Sequence, residues 1–219
     1  RRFLADVSHE LRTPLTVIKG EVGLLRKIGE LDPESLHSIE SEVDRLSRLV
    51  GDLLLLGQAE SGKLLLDQVP IELERLLAEV LQPMEKLVAG RLDLRAVEVE
   101  PVTVMGDHDR LKQVLINLIS NAIQHTPNGG SVSITLRSSG DGAQLSIRDT
   151  GSGIPAEDLP HIFERFYRGE KSRKRTPGGG FGLGLSISYW IMKNKRGTID
   201  VTSHEGVGTT FVVWLPLKM

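Results

Sequence analysis

Ser8-His9-Glu10-Leu11-Arg12-Thr13-Pro14-Leu15 is the stretch on which the fold of this 219-residue chain turns. Around it, apolar residues recur at helical spacing: Leu4, Val7 and Leu11, then Ile18, Leu25 and Ile28. With Leu4 at position a and Val7 at d of a heptad, His9 takes f, on the side away from the apolar seam. Glu10 is its neighbour, and Thr13 lies one turn further along the same face. An exposed helical histidine is more often than not a solvated surface residue. A neutral imidazole with a carboxylate beside it is also a nucleophile with a base at hand. Pro14 removes a backbone donor and is expected to bend the helix about one turn past His9.

The first helix is expected from the start of the chain to about Gly29. Asp32-Pro33 then reads as N-cap and first helical residue of a second helix. Leu36, Ile39, Val43, Leu46, Val50 and Leu53 repeat there by threes and fours. Gly62 reads as its C-cap. A single helical hairpin has too little core to stand alone. Leu15, Val22, Leu24, Leu49, Leu54 and Leu55 widen the apolar stripe beyond a two-helix seam. Two hairpins forming a four-helix bundle would bury it, so a homodimer is expected.

Bulk properties remove other classes. Lys and Arg number 27 against 29 Asp and Glu, a net charge of −2, which offers no general attraction to nucleic acid or anionic lipid. There is no cysteine, hence no disulfide and no thiolate metal site. No apolar run approaches the roughly 20 residues that cross a bilayer. The uncapped opening Arg1-Arg2-Phe3 reads as a fragment, expected to be cytoplasmic. Any attachment to an inner membrane is expected only through a missing upstream region.

From Leu64 to Pro70 the pattern reads as a connection, which sets the expected domains at 1–63 and 70–219. A helix interrupted by Pro83 is expected from Ile71 to about Gly90, and a strand at 102–105. A helix capped by Asp107 should run to His125, and a strand pair should cover 131–137 and 144–148. Helices at about 159–166 and 182–193 and two closing strands at 198–203 and 209–215 complete the pattern. Strands clustered with helices point to an α+β sandwich with helices on one face.

Four stretches of this second half carry chemistry. Asn117-Leu118-Ile119-Ser120-Asn121 puts two carboxamides at i and i+4 on one helix face, and amide oxygens are hard donors suited to Mg²⁺. Asp149-Thr150-Gly151-Ser152-Gly153 follows a strand; its carboxylate can accept from an amino group while the glycines permit close backbone approach. Ile162-Phe163-Glu164-Arg165-Phe166-Tyr167-Arg168 is aromatic and basic. Gly180-Phe181-Gly182-Leu183-Gly184 opens a helix, where backbone donors suit phosphates.

The first stretch, extended to Phe3-Leu4-Ala5-Asp6-Val7-Ser8-His9-Glu10-Leu11-Arg12-Thr13-Pro14-Leu15, resembles the phosphoacceptor box of HisKA-type sensor histidine kinases of two-component signalling. The other four resemble, in order, the N, G1, F and G2 boxes of their ATP-binding domain, a Bergerat-type fold shared with gyrase-type ATPases. The resemblance covers nearly the whole chain. It implies a dimeric helical-hairpin domain followed by an α+β sandwich of that fold, with ATP and Mg²⁺ as cofactors. It makes His9 the phosphoacceptor, Glu10 its general base, and Thr13 the residue that positions water when the partner is dephosphorylated. It makes Asn121 the Mg²⁺ ligand with Asn117 beside it, and Asp149 the adenine-reading carboxylate. Gly151, Gly153, Gly180, Gly182, Leu183 and Gly184 become pocket or phosphate contacts, and Arg165 and Arg168 phosphate contacts in a mobile lid spanning about 155–180. The implied partner is the receiver domain of a response regulator.

Two positions depart from the family pattern. Gln124 stands where many members have lysine, and Lys195-Arg196-Gly197 replaces the usual His-Gly-Gly turn. Two rival functions are set against the kinase. An ATPase of the same fold needs a base carboxylate where this chain has Asn117. A non-catalytic scaffold leaves Asn121, Asp149 and the glycines without a purpose.

Overall fold

A computed structural model describes residues 2–29, 32–61, 64, 66–169 and 180–217. The chain divides into two compact units, Arg1–Leu64 and Leu65–Met219.

The first unit is a pair of helices, α1 (Arg2–Ile28) and α2 (Pro33–Glu60), packed against each other. α1 continues through Pro14, whose ring is buried and whose missing N–H leaves the Glu10 carbonyl without its helical partner. Asp32 caps α2 as the sequence leads one to expect: its carboxylate accepts the Ser35 N–H at 2.9 Å, and Pro33 opens the helix. That bond holds the Asp32 carboxyl below its usual range. Ser61 takes the C-cap position, its N–H donating to the Gly57 carbonyl. The expected cap Gly62 and the turn residues 30–31 lie outside the described residues. Leu49, Leu55 and Leu56 of α2 are buried. Of the widened stripe, Leu49 and Leu55 are covered, while Leu15, Val22, Leu24 and Leu54 are 43–62% exposed.

The second unit begins with β1 (Val69–Glu72), which pairs antiparallel with β3 (Thr103–Gly106). Between them come α3 (Leu73–Val88) and β2 (Asp93–Val99); after them come α4 (His108–His125), β4 (Ser131–Ser139) and β5 (Gly142–Asp149). A 3₁₀ turn at Leu159–His161 precedes α5 (Gly184–Asn194), β6 (Thr198–His204) and β7 (Gly208–Pro216). The main sheet has the order β2-β4-β5-β7-β6. Its pairs are antiparallel except β2–β4, which is parallel, so the sheet is mixed. Alternating residues of one face are buried: Ile134 pairs with Ile147, and Ile147 with Phe211. They pack beneath Leu76, Leu118, Ile119 and Ile187 of the helical layer.

Three sequence expectations are corrected, and one strand had not been expected. Ile71 belongs to a strand rather than to the following helix. Pro83 sits inside α3 without interrupting it. β2 is the unexpected strand: Leu94 is its one buried residue, so it shows no alternation by which sequence could find it. The expected helix at 159–166 is a single 3₁₀ turn followed by turns, and Phe166, at φ 60°, could not continue a right-handed helix.

Candidate functional site

One cavity of about 300 Å³ in the second unit gathers residues from four separated stretches. α4 supplies its floor. Asp107 fixes the start of that helix by accepting the Arg110 N–H at 3.1 Å. Arg91 closes the other end, donating to the carbonyls of Ile123 at 2.9 Å and Thr126 at 3.1 Å. Leu118, Ile119 and Ala122 bury one face of the helix. Asn117, Asn121 and His125, spaced by four, put the opposite face into the cavity together with Ser120 and Gln124.

The parity of β5 turns Asp149 toward the helical layer at the strand's end, after buried Ala143, Leu145 and Ile147. Its Oδ1 accepts two backbone N–H groups, from Gly151 at 2.8 Å and Thr209 at 3.2 Å. The second carboxylate oxygen is left for the cavity. Burial pushes the Asp149 carboxyl up, opposed by those two bonds and by the nearby His125. Burial likewise holds His125 below its ordinary value; Arg168 adds to that, and Asp149 opposes it. Burial and Arg168 both favour the neutral form of the imidazole that lines the cavity.

The loop after Asp149 is pinned on both sides. The Ser152 N–H donates to the His125 carbonyl at 3.3 Å, and the Gly206 N–H to the Ser152 carbonyl at 2.7 Å. Gly153 has φ 67°, and a Cβ there would stand 2.1 Å from the His204 carbonyl oxygen, so this position admits only glycine. Across the cavity, the Phe166 N–H donates to the Gly182 carbonyl at 3.0 Å. That bond brings the 162–168 stretch against the entry to α5. The Tyr167 hydroxyl donates to Asp158 at 2.5 Å beside the same opening.

Of the residues singled out from sequence, Asn117, Asn121, Asp149, Gly153, Arg168, Gly180, Gly182 and Gly184 line this cavity together. Gly151 packs beneath it, against the His125 carbonyl and the Asp149 carboxylate. Leu183 is buried in the core, and Arg165 is half-buried outside the lining. Lys171, Arg173, Lys174 and Arg175, in the stretch expected to form a lid, lie outside the described residues. His125 was missed, although extending the four-residue spacing of Asn117 and Asn121 by one turn reaches it. Thr209 was missed because it meets Asp149 only through the sheet. The Lys195-Arg196-Gly197 turn is formed with Arg196 at φ 54° in the place the family usually gives to glycine.

In the first unit His9 is exposed, Glu10 is half-buried and Thr13 is exposed on α1. Thr16, not Thr13, donates to a carbonyl of the preceding turn, that of Arg12, at 2.8 Å. Among the described residues no helix is long and apolar enough to cross a membrane.

The cavity's polar set suits a nucleotide with a hard cation. Asn117 and Asn121 offer amide oxygens, and among the described residues no cluster of three His, Cys, Asp or Glu forms a cage for a metal. Such a donor set fits Mg²⁺ held jointly with phosphates rather than by protein alone.

Comparison with known proteins agrees with this geometry. Residues 1–62 match the family described as "His Kinase A (phospho-acceptor) domain". Residues 106–219 match the "Histidine kinase-, DNA gyrase B-, and HSP90-like ATPase" family. The chain is 42% identical over 223 residues to "Probable sensor histidine kinase TcrY" of Mycobacterium tuberculosis, covering 99% of this chain and 46% of that protein. It is 37% identical over 220 residues to "Signal transduction histidine-protein kinase BaeS" of Escherichia coli, covering 100% and 47%. The chain thus spans about half the length of the curated relatives it matches. Among solved structures, histidine kinase AdeS of Acinetobacter baumannii superposes with a TM-score of 0.78 at 28% identity, covering 95% of this chain and 98% of that one. Histidine kinase ThkA, solved in complex with response regulator protein TrrA, gives a TM-score of 0.71 at 28% identity, covering 99% and 61%.

Proposed function

This chain belongs to the HisKA-type sensor histidine kinases, and from that premise we propose that ATP held in the cavity of the second unit phosphorylates His9. The imidazole lone pair of His9 attacks the γ-phosphorus in line. A nitrogen–phosphorus bond forms, the bond to the bridging oxygen breaks, and ADP leaves with that electron pair. Glu10 takes the proton from the other ring nitrogen, so the phosphorylated imidazole ends neutral. Asp149 accepts from the adenine amino group, and backbone N–H groups at the glycine-rich start of α5 hold phosphate oxygens. Asn121, with Asn117 beside it, would hold Mg²⁺, which neutralises phosphate charge when bound. Gly151, Gly153, Gly180, Gly182, Leu183, Arg165 and Arg168 shape or contact the nucleotide.

The phosphoryl group then passes to an aspartate on a response regulator, which docks on the exposed face around His9. The pairing of ThkA with TrrA in a solved complex supports that class of partner. The uncovered leucines and valines of the hairpin support a homodimer whose four helices bury them. Thr13 positions water when the regulator is dephosphorylated.

The observation that carries the reading is the convergence of the Asp149 carboxylate, the amide face of α4 and the start of α5 on one cavity, in a chain that also displays His9. Incubation with γ-labelled ATP and Mg²⁺ tests it. Label that is lost in acid, survives base and is absent from His9→Gln supports the kinase. Label retained in His9→Gln refutes the assignment of His9.

A further inference from the structure

Ser188 is a fully buried hydroxyl on α5 for which the proposed reaction has no use. Its Oγ donates to the Gly184 carbonyl at 2.9 Å. That uses its single proton, so toward the Asn117 carboxamide, 3.3 Å away, it can only accept. The Gly184 carbonyl lies 3.0 Å from the same carboxamide and is also an obligatory acceptor. Two acceptors on one side leave one assignment of the amide: Nδ2 toward α5, and Oδ1 away from it. Asn117 lines the cavity, and among the described residues its Oδ1 accepts no hydrogen bond.

We propose that Ser188 is a positioning residue: with the Gly184 carbonyl it locks the Asn117 amide so that its oxygen, not its NH₂, faces the cation end of the nucleotide. The inference rests on the nucleotide reading of the cavity. A carboxamide held on one side by a single acceptor rotates more readily, and its NH₂ would meet a cation with the wrong polarity. Gly184 is part of the device. A Cβ there would lie 3.2 Å from the Asn117 Cγ and press on the amide. Neither Ser188 nor the α5 carbonyl touches the nucleotide in this account; both act through Asn117.

Calorimetric titration of the whole chain with a non-hydrolysable ATP analogue, in Mg²⁺ and separately in EDTA, tests this. Ser188→Ala is expected to weaken binding in Mg²⁺ about three- to tenfold, the worth of one hydrogen bond, and to change binding in EDTA by less than about twofold. In an Asn117→Ala background the same substitution should have no further effect on Mg²⁺-dependent binding. Equal losses in both buffers, an additive loss in the Asn117→Ala background, or no loss at all would each overturn the role. A wild-type affinity indifferent to Mg²⁺ would instead overturn the metal–nucleotide reading, and this inference with it.

Discussion

Lys195 Nζ donates a 2.8 Å hydrogen bond to the backbone carbonyl of Asp67, 128 residues earlier in the chain, from a side chain that is 1% exposed. The Asp67 N–H in turn donates to Asp107 Oδ2 at 3.2 Å. Asp107 is the N-cap of α4, so the segment entering the second unit is tied both to that cap and to the end of α5. A buried ammonium is costly, and its carbonyl partner offsets only part of that cost.

Removing this tie should loosen the segment more than the core. Lys195→Met is expected to speed hydrogen exchange at the Asp67 amide while amides of β5 and β7 stay protected. Burial holds the Lys195 ammonium below its usual range, against the pull of Asp107 and Asp67. Between the folded and unfolded values the unfolded chain binds more protons, so wild-type stability rises with pH across that window. The Met variant should lose this rise; urea unfolding at a series of alkaline pH values measures it.

Asp52 on α2 gives the opposite slope. Burial pushes its carboxyl up to about 6, with Arg48 acting against the shift. Here the folded chain binds more protons than the unfolded one between pH 3.8 and about 6. Helical-unit stability therefore falls as pH rises through that interval and stays lower above it. Asp52→Asn is expected to flatten the slope, read by carboxyl NMR titration together with denaturation at pH 4 and pH 7. A wild-type titration at the ordinary aspartate value would remove the basis of this expectation.

Asp149→Asn should keep the fold and weaken the proposed preference for adenine. The two N–H groups of Gly151 and Thr209 hold an oxygen in the Oδ1 place, so the amide NH₂ takes the place of the free carboxylate oxygen. A donor then meets the adenine amino group. Affinity for adenine nucleotides is expected to fall by about tenfold or more, with a 6-oxopurine nucleotide losing less. Competition binding with the two nucleotides decides it.

Gly153→Ala is expected to cost about 2 kcal/mol or more of stability, because a Cβ cannot stand 2.1 Å from the His204 carbonyl oxygen and the φ is left-handed. The β6–β7 turn must move, and nucleotide binding should fall with it. Thermal unfolding and calorimetry on the variant measure both.

Thr13→Ala is expected to separate the two directions of the proposed phosphate flow. Thr13 is exposed on the helix that carries His9, and among the described residues its hydroxyl makes no hydrogen bond to a carbonyl of the preceding turn. Self-phosphorylation should continue while the variant slows the decay of phosphorylated regulator with ADP present. Equal decay rates for wild type and variant would make Thr13 structural.

Much of the architecture was legible because it depends on local periodicity. The apolar spacing of Leu36, Ile39, Val43 and Leu46 can form only one kind of element, and Asp32-Pro33 and Asp107 mark helix starts through bonds made within three residues. The Asn117–Asn121 face was readable for the same reason. Elements lacking local contrast were not: β2 exposes nearly all its residues, and the 159–166 stretch has helical composition but a left-handed Phe166.

Sequence by itself singled out the residues proposed to bind a nucleotide and accept phosphate, since the ordered motifs carry both. The fold decided how those side chains present their atoms. The free oxygen of Asp149 depends on Thr209, which only the β5–β7 pairing brings near. The orientation of Asn117 depends on Gly184 and Ser188 of another helix. The burial of Lys195 depends on a carbonyl 128 residues away. A hydrogen bond is set by distance and direction in space, and the spacing of residues along a chain specifies neither once the partners lie on different elements.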